Sequence, residues 1–225
     1  MLNYFSIVSK KVRTSSLTQT GDSSGRKECT DQGRVMKGID PSEIFFLIRE
    51  SPFGPFAIVW SVHVGEPRVC RILLSKPKLA VRKSLSKAFP TSGSSTCRDI
   101  SELANRIEAF LQGSDVRFYL SSIRLDLCSH FQQQVLRVEY GIPRGCVSTY
   151  QRIAHHVGRS SGARAVGQAL ASNPFPLMIP CHRAIRTDRT LGGYQGGAAM
   201  KTALLEMEGV TFDDAGHLAA GSIFY

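Results

Sequence analysis

Apolar residues cluster in short strand-like runs in the first half of this chain and recur at helical spacing in the second. IFFLIRE (44–50), AIVWSVHV (57–64) and RVCRILLS (68–75) are rich in β-branched and aromatic residues, and SPFGPF (51–56) reads as a turn. They predict three strands. Two helical stretches are expected next. The better defined runs from Asp99 to Leu111, with Ile100, Leu103, Ile107 and Leu111 on one face, capping-box spacing between Asp99 and Glu102, and Gly113 as a stop. VRFYL (116–120) alternates and predicts a further strand, closing a small α/β domain near Ser122.

Beyond that point the spacing is helical. Helices are expected over Phe131–Tyr140, Tyr150–Val157, Ala163–Ser172 and Ala198–Glu208, with Pro143 breaking the chain after the first and Gly209 ending the last. GRSSG (158–162) is a tight turn, so the second and third helices suggest a helix-turn-helix. NPFPLMIPCHRAI (173–185) is an apolar, proline-stiffened loop. Residues 1–42, rich in Ser, Thr, Gly and charge with few large apolar side chains, read as a flexible basic tail. The expected organisation is therefore a tail (1–42), an α/β domain (43–122) and an all-α domain (123–225).

The formal net charge of +10 favours a polyanion, either nucleic acid or an anionic membrane surface. No apolar run reaches the roughly 18 residues a membrane span needs, and the basic N-terminal segment has too broken an apolar part for a secretory signal. The six cysteines (Cys29, Cys70, Cys97, Cys128, Cys146 and Cys181) lack CxxC or zinc-like clustering and do not read as a disulfide framework. A reducing, intracellular compartment is expected, with no metal, no cofactor and at most one chemically active cysteine.

Two features carry candidate chemistry. In the Ala163–Ser172 helix, Ala165, Val166, Ala169 and Leu170 form a packing face, while Ala163, Gly167 and Ala171 line up opposite, flanked by Arg164 and Gln168. So bare a face suits either tight helix packing or entry into the DNA minor groove, about 6 Å wide. The second feature is Pro180-Cys181-His182-Arg183. A thiol attacks as its thiolate and needs a base. His182 is adjacent, although neighbouring side chains often diverge and a bridging water is then required. Glu208 is a candidate third group that spacing does not establish. Pro174, Pro176 and Pro180 stiffen the loop, and Phe175, Leu177, Met178 and Ile179 supply apolar walls for an alkyl group.

IPCHRAI, preceded by GARAVGQALASNPFPL and followed by GGYQGGAAMKTALLEMEG, resembles the O6-alkylguanine-DNA alkyltransferases. The resemblance is dense from Phe131 to Gly209, weaker from Glu50 to Ser122 and absent from the first 40 residues. It implies a ribonuclease H-like α/β domain followed by a helix-turn-helix (winged-helix-like) domain that reads the minor groove. It implies transfer of the alkyl group from O6-alkylguanine in double-stranded DNA to Cys181, after nucleotide flipping, once per molecule. Position by position, His182 and Glu208 match the relay that deprotonates the thiol through a water, and Tyr150 the proton donor to the departing base. Asn173 matches the asparagine holding the reactive loop to the recognition helix, and Lys201 a lysine near the thiol. Arg164 matches the arginine filling the vacated base stack, with Ala163 and Gly167 beside it, and Gln132, Gln151, Arg159 and Thr187 align with DNA backbone contacts. Pro176, Met178, Tyr194, Gln195 and Gly196 are the expected alkyl pocket. No structural metal is expected, and the protein reads as a monomer away from membranes.

Three other functions were weighed. An alkyltransferase-like lesion binder carries tryptophan where Cys181 stands. A methylation-triggered regulator needs a second DNA-binding module, which residues 1–122 do not offer. A cysteine peptidase needs an oxyanion hole and cleft that nothing indicates.

Overall fold

The computed structural model describes residues 39–40, 43–76, 79–220 and 222–225. The tail expected over residues 1–42 lies outside them, apart from Ile39 and Asp40. The fold is a mixed one of sheets and helices.

Strands β1 (Phe45–Arg49), β2 (Phe56–His63) and β3 (Glu66–Leu74) form an antiparallel meander, with Phe45 opposite Trp60 and Phe56 opposite Leu74. The first turn bends at Gly54 (φ +88°), where the Ser51 hydroxyl donates to the Gly54 carbonyl and accepts from the Phe53 amide. The expected second strand ends one residue early. Val64 (φ +52°) and Gly65 (φ +79°) make the hairpin turn instead, a positive-φ pair whose twist matches that of the strands. A helix α1 (Val81–Ala88) and a short strand β4 (Gly93–Ser94) follow, β4 adding in parallel beside β1 to give the order β3-β2-β1-β4.

Alternation along β2 divides the sheet's two faces. Phe56, Ile58 and Trp60 join the core with Ile100, Leu103, Ile107 and Phe110 of helix α2 (Arg98–Leu111), whereas Val59 clusters with Cys70, Leu85 and Phe89 beside α1. The capping box expected at Asp99 does not form. The helix starts after Cys97, and Glu102 pairs with Arg98 at 2.9 Å one turn away. Nor is VRFYL a strand: it runs without ladder partners, the Phe118 carbonyl accepting from the Tyr140 hydroxyl at 2.6 Å, and just beyond it Ile123 forms an isolated bridge to Val69.

The C-terminal part is not all-α, correcting that expectation. Helix α3 (His130–Tyr140), capped by the Ser129 hydroxyl, leads to strand β5 (Cys146–Thr149). β5 lies between two parallel neighbours, β6 (Ala184–Ile185) and β9 (Ser222–Ile223), and a hairpin of β7 (Thr211–Phe212) and β8 (Leu218–Ala220) stands nearby in sequence. Helices α4 (Tyr150–His156), α5 (Ala163–Ala171) and α6 (Ala198–Met207) complete the fold. One hydrophobic core runs from the β2 face through α2 and α3 to the loop carrying Cys181. Among the described residues no helix is long and apolar enough to cross a membrane.

Candidate active site

The chain reaches Cys181 through a loop fixed by its own backbone. The Ile179 amide donates to the Phe175 carbonyl (2.9 Å), the Cys181 amide to Ile179 (2.8 Å) and the Arg183 amide to Pro180 (2.8 Å), giving a single helical turn over Cys181–Arg183. Leu177 holds a left-handed conformation (φ +73°), unfavourable for a branched side chain and tolerated where the surroundings enforce it. The Ile72 amide of β3 donates to the Pro174 carbonyl at 2.8 Å, tying the loop to the sheet.

Cys181 is 5% exposed and lines a cleft of about 670 Å³. Burial pushes its thiol up to about 12, partly countered by a hydrogen bond from Asn173 and the charge of Lys201. The resting group is thus a thiol that needs a base at the moment of attack.

His182 and Glu208 do come together. His182 Nε2 lies 3.1 Å from Glu208 Oε1, both side chains almost wholly buried. Glu208 also accepts two bonds from Arg183, Nε to Oε2 at 2.8 Å and Nη2 to Oε1 at 2.7 Å. Burial alone would raise the Glu208 carboxyl, but the hydrogen bonds and charges of His182 and Arg183 outweigh it and bring the pKa to about 2. Burial pushes His182 below its ordinary value despite Glu208, favouring neutral imidazole. With Nε2 donating to the carboxylate, Nδ1 is the acceptor, and it has no protein partner.

Asn173 follows α5 and is fully buried. Its Nδ2 donates to the Ile179 carbonyl (3.2 Å) while its Oδ1 accepts the Phe175 amide (2.9 Å), so it joins the end of α5 to the reactive loop. The Lys201 ammonium, wholly buried, donates to the carbonyls of Ala184 (2.6 Å), Leu191 and Gly193 (3.4 Å). Desolvation lowers it to about 8. Tyr150, at the start of α4, lines the cleft with Cys181, and burial raises its phenol to about 12. A Cβ on Gly192 (φ +69°) would sit 2.7 Å from the Tyr150 hydroxyl, so only glycine lets that segment pass so close.

The cleft lining includes part of the expected alkyl pocket. Tyr194 and Gln195 line the cleft, but Pro176, Met178 and Gly196 do not. Met178 (3% exposed) packs in the core, Pro176 bridges to Ile179, and Gly196 is held against Met200. Leu170, Gly167, Ala171, Gly192, Gly193 and Gly197 supply wall instead, with Arg186 and Lys76 as cations the sequence reading missed.

On α5 the expected packing face is narrower: Val166, Ala169 and Leu170 are buried, whereas Ala165 is exposed. Arg164 projects into solvent, Ala163 is half-buried, and nothing lies within 4 Å of a Cβ built on Gly167. Of the expected backbone-contact residues, Thr187 is exposed in the turn after β6 and Arg159 stacks over the Phe131 ring at 5.0 Å. The Gln151 amide donates to the Ser160 carbonyl. Gln132 spends its amide on the end of α5, donating to Ala169 O (3.0 Å) and Ser172 Oγ (3.1 Å), a fold-supporting placement that sequence alignment does not show. The hold of Arg183 on Glu208, and Glu139 altogether, were also missed. Glu139 left a trace, an acid four residues after Val135 on the buried face of α3. Among the described residues no group of three or more His, Cys, Asp or Glu is arranged to hold a metal ion.

The chain as a whole is similar to known proteins. The family described as 6-O-methylguanine DNA methyltransferase, DNA binding domain, matches residues 130–210. The methylated-DNA–protein-cysteine methyltransferase of Methanothermobacter thermautotrophicus is 46% identical over 162 residues, 72% of this chain and 84% of that protein. The Mycobacterium leprae protein of that name is 41% identical over 108 residues, 48% of this chain and 64% of its own. The crystal structure of Mycobacterium tuberculosis OGT in complex with DNA superposes with a TM-score of 0.57 at 27% identity, covering 73% of this chain and 93% of that one. A buried cysteine beside a histidine–glutamate pair, in a chain so similar to these over most of its described length, decides the assignment: this chain belongs to the methylated-DNA–protein-cysteine methyltransferase family.

Proposed function

We propose that the protein repairs double-stranded DNA containing O6-alkylguanine by moving the alkyl group onto Cys181, each molecule acting once. The observation that carries this reading is the buried thiol lining a cleft next to His182, whose Nδ1 is free to accept while Nε2 rests on Glu208. The thiol proton passes to Nδ1 across one water, sulfur attacks the alkyl carbon, and the bond from that carbon to O6 breaks. Tyr150, kept protonated by burial, gives its proton to the departing base. Glu208 stays ionised and stabilises the imidazolium, and the Lys201 charge favours the thiolate. Neither step regenerates the thiol, because the product is a thioether, whose carbon–sulfur bond is stable to water.

An O6 substituent inside a duplex is out of reach of a buried thiol, so the nucleotide must flip. In this reading α5 lies in the minor groove, where Ala163 and Gly167 permit close approach, and Arg164 fills the vacated stack. Gln151, Arg159 and Thr187 contact the backbone, and Gln132 secures α5. We assign residues 43–122 to a ribonuclease H-like domain and 123–225 to a helix-turn-helix domain with winged-helix character. The protein works wherever the cell keeps its DNA, in cytoplasm or nucleus.

Intact-protein mass spectrometry after mixing with an O6-methylguanine duplex tests the proposal. One added methylene per molecule, mapped to Cys181, is expected. Repeated turnover, or transfer that survives Cys181→Ala, refutes it.

A further inference from the structure

One buried acid takes no part in the chemistry above. Glu139 sits on the inward face of α3 with Val135 and Leu136 and is completely buried. Neither of its carboxyl oxygens has a hydrogen-bond partner. An unpaired carboxyl in the interior works against folding, and an apolar side chain would fill the place without that penalty. Local rules broken at such expense tend to mark functional positions.

The surroundings of Glu139 are those of the reaction. Helix α3 packs against the Cys181–Arg183 turn and against α4, which opens with Tyr150. Its charged and titratable neighbours come from each of these elements and beyond. Lys201 on α6 and Arg183 on the turn act on Glu139, and Glu139 acts in turn on Tyr150, Cys181 and Tyr225. Ser148, two residues before Tyr150, is a second fully buried side chain with an unpartnered oxygen. Strand pairing sets it opposite Ala184, whose carbonyl receives the Lys201 ammonium. An unpartnered acid therefore lies on the helix packed against the one that opens with Tyr150, and an unpartnered hydroxyl lies on the strand leading into it.

We propose that Glu139 is the proton store of the site, passing its proton to Tyr150 in the same step in which Tyr150 protonates the departing base. The inference rests on the reading of Tyr150 as that donor. The step balances: the sulfur–carbon bond forms as the carbon–O6 bond breaks, and the thiol proton goes to His182. The Tyr150 proton goes to the base and the Glu139 proton to Tyr150. The negative charge ends on Glu139 near Lys201 and Arg183, and the positive charge on His182 against Glu208. Burial raises the Glu139 carboxyl to about 8, so it is protonated at neutral pH, and transfer to a phenolate whose acid lies near 12 runs downhill.

Single-turnover transfer is measured from free O6-benzylguanine and from an O6-methylguanine duplex, for wild type, Glu139→Gln and Tyr150→Phe. Alkylation of Cys181 by iodoacetamide is followed in parallel, because iodide leaves without a proton. Glutamine is the neutral isostere of the resting acid. Glu139→Gln should slow both guanine substrates about tenfold or more, as loss of a proton donor does. It should leave the iodoacetamide rate unchanged and should not lower the melting temperature. Unchanged guanine transfer in Glu139→Gln, with Tyr150→Phe slow, overturns the proton store and spares the Tyr150 assignment. Unchanged transfer in Tyr150→Phe overturns both. Equal slowing of all three reactions by Glu139→Gln makes Glu139 a packing or thiol-tuning residue and also overturns it.

Discussion

Glu139 should leave a signature in the stability of the protein as well as in its rate. Its carboxyl moves from an ordinary value of 4.5 to about 8 on folding, because burial disfavours the charge more than Lys201 and Arg183 restore it. The folded state therefore binds more protons than the unfolded chain between those values, and stability falls as pH rises through that window. Below the unfolded pKa the acid is neutral in both states and no penalty exists. At about 1.4 kcal/mol per unit, the penalty is under about 1 kcal/mol at pH 5, about 3 kcal/mol at pH 7 and about 5 kcal/mol above pH 8. Glu139→Gln cannot ionise and should escape it. Urea denaturation of both proteins, at pH 5 and at pH 7, measures the difference. The variant should gain about 2 to 3 kcal/mol on wild type between the two conditions, at equal m-values. Parallel stability–pH curves would mean that Glu139 is hydrated or paired in solution, and the reasoning about its burial would fail.

Three further outcomes follow from the site. Cys181→Ala should abolish alkyl transfer yet still bind O6-methylguanine duplex in a mobility-shift assay, since the thiol adds little contact area; lost binding would give the cysteine a role in recognition. Glu208, held at about 2 by His182 and Arg183 against burial, should contribute about 3 kcal/mol of stability above pH 4.5 that disappears as pH falls towards 2. Acid titration of wild type against Glu208→Gln checks this, and an acid limb that survives in the variant would refute it. Arg164→Ala should slow duplex repair by about one to three orders of magnitude, each 1.4 kcal/mol being tenfold, while free O6-benzylguanine reacts normally with Cys181; equal slowing of both substrates would assign Arg164 to the fold or the thiol.

The legible parts of this chain were those whose signal is local. Three strands, the α2 face and the four later helices announce themselves by apolar spacing, with ends displaced by a residue or two. Hidden were elements that exist only through distant partners. Strands β5, β6 and β9 are two to four residues long, too short for any periodicity to show, and β5 finds its partners 36 and 76 residues further along the chain. VRFYL alternates as a strand should, but its neighbourhood supplies a tyrosine hydroxyl in place of a ladder. At the site, Cys181 and His182 could be read from adjacency, whereas the His182–Glu208 contact spans 26 residues and only folding brings it about. Met178 lies three residues before the cysteine, yet it packs in the core rather than along the cleft. Arg186 and Lys76, which do face the cleft, come from segments whose composition says nothing of it.

Strand β3 is the outermost member of its sheet, and outer strands offer bare amides and carbonyls to any passing chain. Here they are occupied from within. Ile72 donates to Pro174 and Val69 accepts from Arg124, both partners lying beyond residue 122. The later half of the molecule thus seals the earlier half against self-association. A fragment ending near Ser122 would keep its hydrophobic meander but lose that seal, and the expected product is an aggregate that adds strands at β3. Restoring solubility to such a fragment should require a charged residue or a proline along β3, or the missing half supplied in trans.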